Sequence, residues 1–259
     1  MENYHESYKK YESVLLECTK LSQECAGIPS PTSSHFYASL LFTKLCNCAY
    51  SIGHLAPKPD QIGKDAHWDY SSVASLTRDL IECYLTFYYL CIDKCSNDEW
   101  NARWQLMNLH DHLSRVKMFN TLGKDYEEKE EAKSVKNEVI ENLKSNKWFR
   151  KLSDKQQAHF LKGKNAFFKN QDEILTASGG EVSDFRFKYI FASNHTHTFP
   201  MGFYRMADGN RGRGVESQVE IQYTGLCLEW VSEYLLKAKE QFDDKFENLE
   251  QCNPPCNTY

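Results

Sequence analysis

Apolar side chains recur at steps of three and four along most of this chain, the spacing that puts them on one face of an α-helix. Tyr4, Tyr8, Tyr11, Leu15, Cys18 and Leu21 make the first such stripe, within residues 2–26. Gly27, Pro29 and Pro31 stop it, and Thr32, Ser33 and Ser34 offer N-caps to a second helix over 33–52. The apolar set of that helix includes Phe36, Leu40, Leu41, Leu45, Cys48 and Ile52. Gly53, Pro57, Pro59 and Gly63 then punctuate a loop over 53–67. Asp69 or Ser71 caps the most apolar helix, predicted over 69–95, and its composition places it at the centre of the fold. A fourth helix over 97–121 carries Trp100, Trp104, Met107, Leu109, Leu113 and Met118, with Gly123 as its stop.

The second half is more broken. Residues 125–145 open on a charged run, Glu127, Glu128, Lys129, Glu130, Glu131 and Lys133, which reads as a solvated helix face. Short helical pieces follow near 146–151 and 153–163, the second capped by Ser153. Residues 171–182 start as helix and end at Gly179-Gly180, and another helix is predicted over 183–194. Residues 185–191 alternate like a strand, but their helical flanks favour helix. A loop rich in Gly and Arg over 200–214 leads to a long last helix over 215–247, and the tail 248–259 reads as loose. No repeat and no hairpin pattern is visible. The sequence therefore predicts an all-α, multi-helix bundle around the helix at 69–95. Its expected divisions are an N-terminal helical pair, 1–52, packed on the core, a main domain, 53–247, and the tail.

Composition supports this picture. Only 12 Gly and 7 Pro interrupt 259 residues, which leaves room for long helices. A net charge of −5 supplies no global attraction for nucleic acid, so RNA would have to meet a local basic patch. The start, Met1 to Glu6, is polar and acidic, the reverse of a cationic leader, and no apolar run is long enough to span a bilayer. The expectation is a cytoplasmic protein with no membrane partner. The ten cysteines mostly sit in helical patterns and read as small buried hydrophobes.

Two segments concentrate polar groups where a helical scaffold would present them. In the central helix, Arg78 and Glu82 stand at i and i+4, on one face of an otherwise apolar element, so a partly buried pair is expected. Its two readings are a structural ion pair and an arginine held ready for a phosphate. The second segment is Tyr189-Ile190-Phe191-Ala192-Ser193-Asn194-His195-Thr196-His197, ahead of Pro200. Ser193 and His197 are again four apart, and a neutral imidazole there can exchange protons near neutral pH. The plain alternative is a helix C-cap. Other candidates are weaker. His110 and His112 point about 200° apart on a helix and do not make a metal site. Cys252 and Cys256 lack the second ligand pair that zinc needs. Gly209 to Gly214 has the flexibility and charge to touch phosphate but lacks a P-loop lysine.

The runs Ser75–Leu85 and Tyr189–His197 are similar to the two signatures of an uncharacterised, mostly bacterial, all-helical family, an Arg-x-x-x-Glu helix and a Tyr-x-x-x-Ser-x-x-x-His element. The likeness covers roughly residues 65–240, leaving the first two helices unmatched. The architecture also resembles HEPN helical domains, many of which are RNases of toxin–antitoxin and phage-defence systems. Their Arg lies four to six residues before the His, whereas here Arg186 precedes His195 by nine and His197 by eleven. The resemblance implies a metal-independent ribonuclease or defence effector without cofactor. In it His197 is general acid/base with His195 assisting, Arg78 stabilises phosphorane charge, Glu82 orients Arg78, and Ser193 positions substrate. Arg186, Tyr189, Asn194, Arg205, Arg211 and Arg213 would bind that substrate. The competing reading is a non-catalytic interaction or sensor subunit, in which these residues tie helices together and the partner is another protein or a second copy of the chain.

Overall fold

The computed structural model describes residues 2–123, 130–206 and 210–250. Most of the acidic part of the charged run (up to Lys129), Gly209, and the tail from residue 251 with Cys252 and Cys256 lie outside them. The fold is all-α. Its helices are α1 (Glu2–Glu24), α2 (Ser33–Leu55), α3 (Tyr70–Phe87), α4 (Asn97–Asn120), α5 (Glu130–Ser145), α6 (Asp154–Phe160), α7 (Gln171–Ala177), α8 (Val182–Thr196), α9 (Pro200–Phe203) and α10 (Gln218–Glu250). Among the described residues there is no strand, only an isolated antiparallel bridge between Trp68 and Gly214.

Side chains set several of these boundaries. Thr32 caps α2 by accepting the His35 N–H, Asp69 caps α3 by accepting Ser72 N–H at 3.1 Å, and Ser153 with Gln156 forms a capping box on α6. The central helix is shorter than the pattern suggested. Its α-helical part ends at Phe87, and Tyr88–Ile92 continue as a π-helical turn. That turn buries Tyr89 while the Tyr88 hydroxyl donates to the Ala177 carbonyl at 2.5 Å. A wider turn aims two successive rings in directions that regular i→i+4 geometry would not give.

The chain divides into two compact units, one made of residues up to Ile92 and from Ile174 on, the other of Asp93–Glu173. In the first, α3 packs against α2, α8 and α10, and α1 lies along α10 and α2. Leu80, Ile81, Tyr84 and Phe87 from α3 meet a core that includes Leu228, Val231, Leu235 and Phe242 of α10, all buried. The buried stripe of α1, Tyr4, Tyr8, Tyr11, Val14 and Cys18, follows the expected one closely. That of α2 is rotated. Ala38, Phe42, Leu45, Ala49 and Ile52 are buried, whereas Phe36 and Leu40 are half exposed. The alanines let α2 approach its neighbours closely, which the larger side chains at 36 and 40 would prevent. In the second unit Ala102, Leu109, Val139, Leu143 and Phe149 form the core of α4, α5 and the turn after it. There Arg103, almost wholly buried, is neutralised by Asp93 at 2.7 Å and Glu99 at 2.5 Å. Eight cysteines are described, all free thiols. Burial pushes the thiol pKa of Cys18, Cys48, Cys91 and Cys227 up to about 12, so these are inert packing groups. No described helix is long and apolar enough to cross a membrane.

Candidate functional site

The face that α3 turns to α8 carries a compact polar network. Arg78 Nη2 donates to Glu82 Oε1 at 3.0 Å and to the Tyr189 hydroxyl at 3.0 Å. Tyr189 in turn donates to the same Glu82 oxygen at 2.8 Å, closing a triangle of three hydrogen bonds. Arg78 Nη1 reaches His197 Nε2 at 2.8 Å. Helix spacing explains the set: 78 and 82 share one face of α3, while 189, 193 and 197 follow one another at steps of four along α8. The Arg78 side chain is 16% exposed and that of Glu82 39% exposed, and His197 sits in the open at the helix end. Two polar atoms on these faces, Arg78 Nε and Ser193 Oγ, are buried without a hydrogen-bond partner.

The contact with arginine dictates the state of His197. A guanidinium only donates, so Nε2 must accept, the ring is neutral and its proton is on Nδ1. Backbone geometry holds the ring in place. His197 is the C-cap of α8, Thr198 follows with φ +50°, and the N–H groups of Thr198 and Phe199 bond back to the carbonyls of His195 and Asn194. That is the Schellman arrangement, with a β-branched residue where glycine is usual. A threonine with positive φ is strained, and strain of this kind gathers at functional sites.

His195 does not join the network. Two residues before His197, it leaves α8 about 200° around the axis. Its ring is buried, edge-on to Tyr70 at 4.9 Å and beside Phe191 at 4.9 Å, and its Nδ1 has no partner. Burial lowers its pKa, which keeps it neutral. The other expected contributors are scattered. Arg186 is exposed, with its guanidinium 5.7 Å from the Phe185 ring. Asn194 spends its amide on the Ile190 carbonyl at 2.7 Å. Arg205 and Arg211 line a small cavity around His195, and Arg213 is exposed. Among the described residues no three His, Cys, Asp or Glu side chains are grouped to hold a metal.

Residues 35–214 match a family of unknown function, DUF5677. The chain belongs to this family. The match starts inside α2, earlier than the sequence motifs indicated, and stops before α10, so it takes in both α3 and α8. No match was found among the curated proteins, nor among the solved structures. In this DUF5677 protein one carboxylate escaped sequence reading. Glu220 is fully buried and accepts the backbone N–H groups of Tyr70 at 3.0 Å and Gly212 at 2.8 Å. Burial raises its pKa, and the two amides offset only part of that. It ties the Gly- and Arg-rich loop to the start of α3. Its partners are backbone groups, which leave no mark in a side-chain pattern.

Proposed function

We propose that this protein is a HEPN-like, metal-independent ribonuclease, a cytoplasmic defence or toxin effector. The observation that carries the reading is the 2.8 Å contact between Arg78 Nη1 and His197 Nε2 at an exposed helix end. It sets a cation for phosphate beside a proton acceptor, the pair that cleavage of RNA requires. HEPN sequences bring Arg and His together over four to six residues of one helix, and here α3 supplies the arginine from outside α8.

In this mechanism a phosphodiester draws the Arg78 guanidinium to itself, which frees His197 Nε2. The imidazole then takes the proton of the 2′-hydroxyl while the 2′-oxygen attacks phosphorus. The bond from phosphorus to the 5′-oxygen breaks, and that oxygen leaves with a proton returned by His197 or by water. Arg78 stabilises the charge that gathers on the phosphoryl oxygens, Glu82 and Tyr189 hold Arg78 in orientation, and Ser193 Oγ positions the substrate. The test incubates the full chain with an end-labelled RNA and seeks products ending in a 2′,3′-cyclic phosphate. The wild type should give them, and His197→Ala and Arg78→Ala should not.

One observation favours the second reading, a non-catalytic interaction or sensor subunit with a protein partner. Three of the five N–H groups of Arg78 are already taken by Glu82, Tyr189 and His197. On that reading the network serves to lock α3 to α8, and wild-type protein leaves the RNA intact.

A further inference from the structure

We propose that the cavity at the N-terminal end of α3 binds a small organic anion, a flat aromatic ring carrying a carboxylate or a phosphate. The space is ≈ 80 Å³ and is walled by Tyr70, Phe191 and Tyr223. These rings hold one another edge-on, Tyr70 to Tyr223 at 5.2 Å and Phe191 to Tyr223 at 5.2 Å, so the walls exist before any ligand arrives. Arg205 and Arg211 line the same space, and no acidic side chain does. Glu220 is near Tyr70, but its two oxygens are turned to the Tyr70 and Gly212 backbone.

The floor is His195, 7% exposed, with Nδ1 buried and unpartnered. Burial without a nearby carboxylate keeps the ring neutral, suited to hydrogen bonding a ligand without adding a charge of its own. Gly202 completes the enclosure. A Cβ there would stand 2.8 Å from the Asn194 carbonyl oxygen and 3.5 Å from His195 Nδ1, so a larger residue would prise α9 off the site. Apolar walls with a few convergent polar groups are the usual make-up of a small-molecule site. Two guanidiniums are the groups that recognise carboxylate and phosphate oxygens. The limited volume suits one ring and one oxyanion. This cavity is separate from the Arg78–His197 network, because His195 and His197 leave the helix on opposite sides, and it does not depend on the ribonuclease reading.

Calorimetric titration of the full chain with four probes tests the proposal: benzoate, phenyl phosphate, benzamide and inorganic phosphate. At least one ring anion should bind with Kd below about 1 mM, and benzamide and inorganic phosphate about tenfold or more weaker. Which ring anion wins identifies the oxyanion as carboxylate or phosphate. Arg211→Ala and the surface variant Arg205→Ala should each weaken binding of that probe by about tenfold. The proposal is overturned when neither ring anion binds more tightly than benzamide, or when affinity is unchanged in both arginine variants. Arg205 is exposed, so its variant stays informative even where Arg211→Ala unfolds.

Discussion

Arg78 and His197 are 119 positions apart in the chain, yet Nη1 of one lies 2.8 Å from Nε2 of the other. The contact joins the central helix of the first unit to the end of α8. It also forces the imidazole into the neutral Nδ1–H form, since arginine has no lone pair to offer.

Replacing His197 by alanine should separate chemistry from stability. The side chain is exposed and makes one strong polar contact, so the melting temperature should stay close to that of the wild type. RNA cleavage, measured on the same preparation, should fall by about 10²–10⁴. A large loss of melting temperature with RNA left intact by both proteins would instead make His197 a structural clasp.

Arg78→Lys keeps the charge but not the fork. One ammonium cannot bond Glu82, Tyr189 and His197 in the geometry that a planar guanidinium does. Denaturant titration should show a loss of about 1–3 kcal/mol. Tyr189→Phe removes the hydroxyl that bridges Arg78 and Glu82, so the two changes share partners. Their double variant should depart from additivity by at least about 0.5 kcal/mol. Strict additivity would mean that the triangle is not formed in solution.

Thr198→Gly should stabilise the protein. With φ at +50°, threonine is held in a conformation that costs an L-residue about 1–2 kcal/mol, and glycine adopts it freely. Part of that gain is returned to the more flexible unfolded chain. A net rise of roughly 1 kcal/mol in unfolding free energy is expected, read from urea titrations. A fall would show that the Thr198 side chain contributes more to the turn than its strain takes away.

His195 should make the fold acid-sensitive. Burial holds its folded-state pKa below the ordinary 6.5. Below that value the unfolded chain binds a proton that the native state resists, so stability falls with decreasing pH. The contribution is complete above 6.5 and is lost as pH drops from there through the folded-state pKa. Melting temperatures recorded from pH 7.5 down to about 5 should slope downward, and the slope should be smaller in His195→Phe, whose ring can keep the edge-on contact with Tyr70. An unchanged slope would place the acid sensitivity elsewhere.

The sequence by itself determined the all-α class, most helix positions, the caps at Thr32, Asp69 and Ser153, and the grouping of Arg78 with Glu82 and of Tyr189 with Ser193 and His197. All of these are local. Helix period, capping and i,i+4 spacing act within one or two turns and are written directly in residue order. The separation of His195 from His197 was legible in the same way, since two helical steps turn a side chain about 200°. Only the tertiary structure decided which stripe of α2 is buried, because Ala38 and Ala49 allow a close approach that Phe36 and Leu40 do not. Only packing of α8 on α3 brought Arg78 to His197, and only the return of α10 to the start of α3 placed Glu220 against two backbone amides. Contacts between segments more than a hundred residues apart depend on which helix faces meet, and a hydrophobic period marks a face without naming its partner.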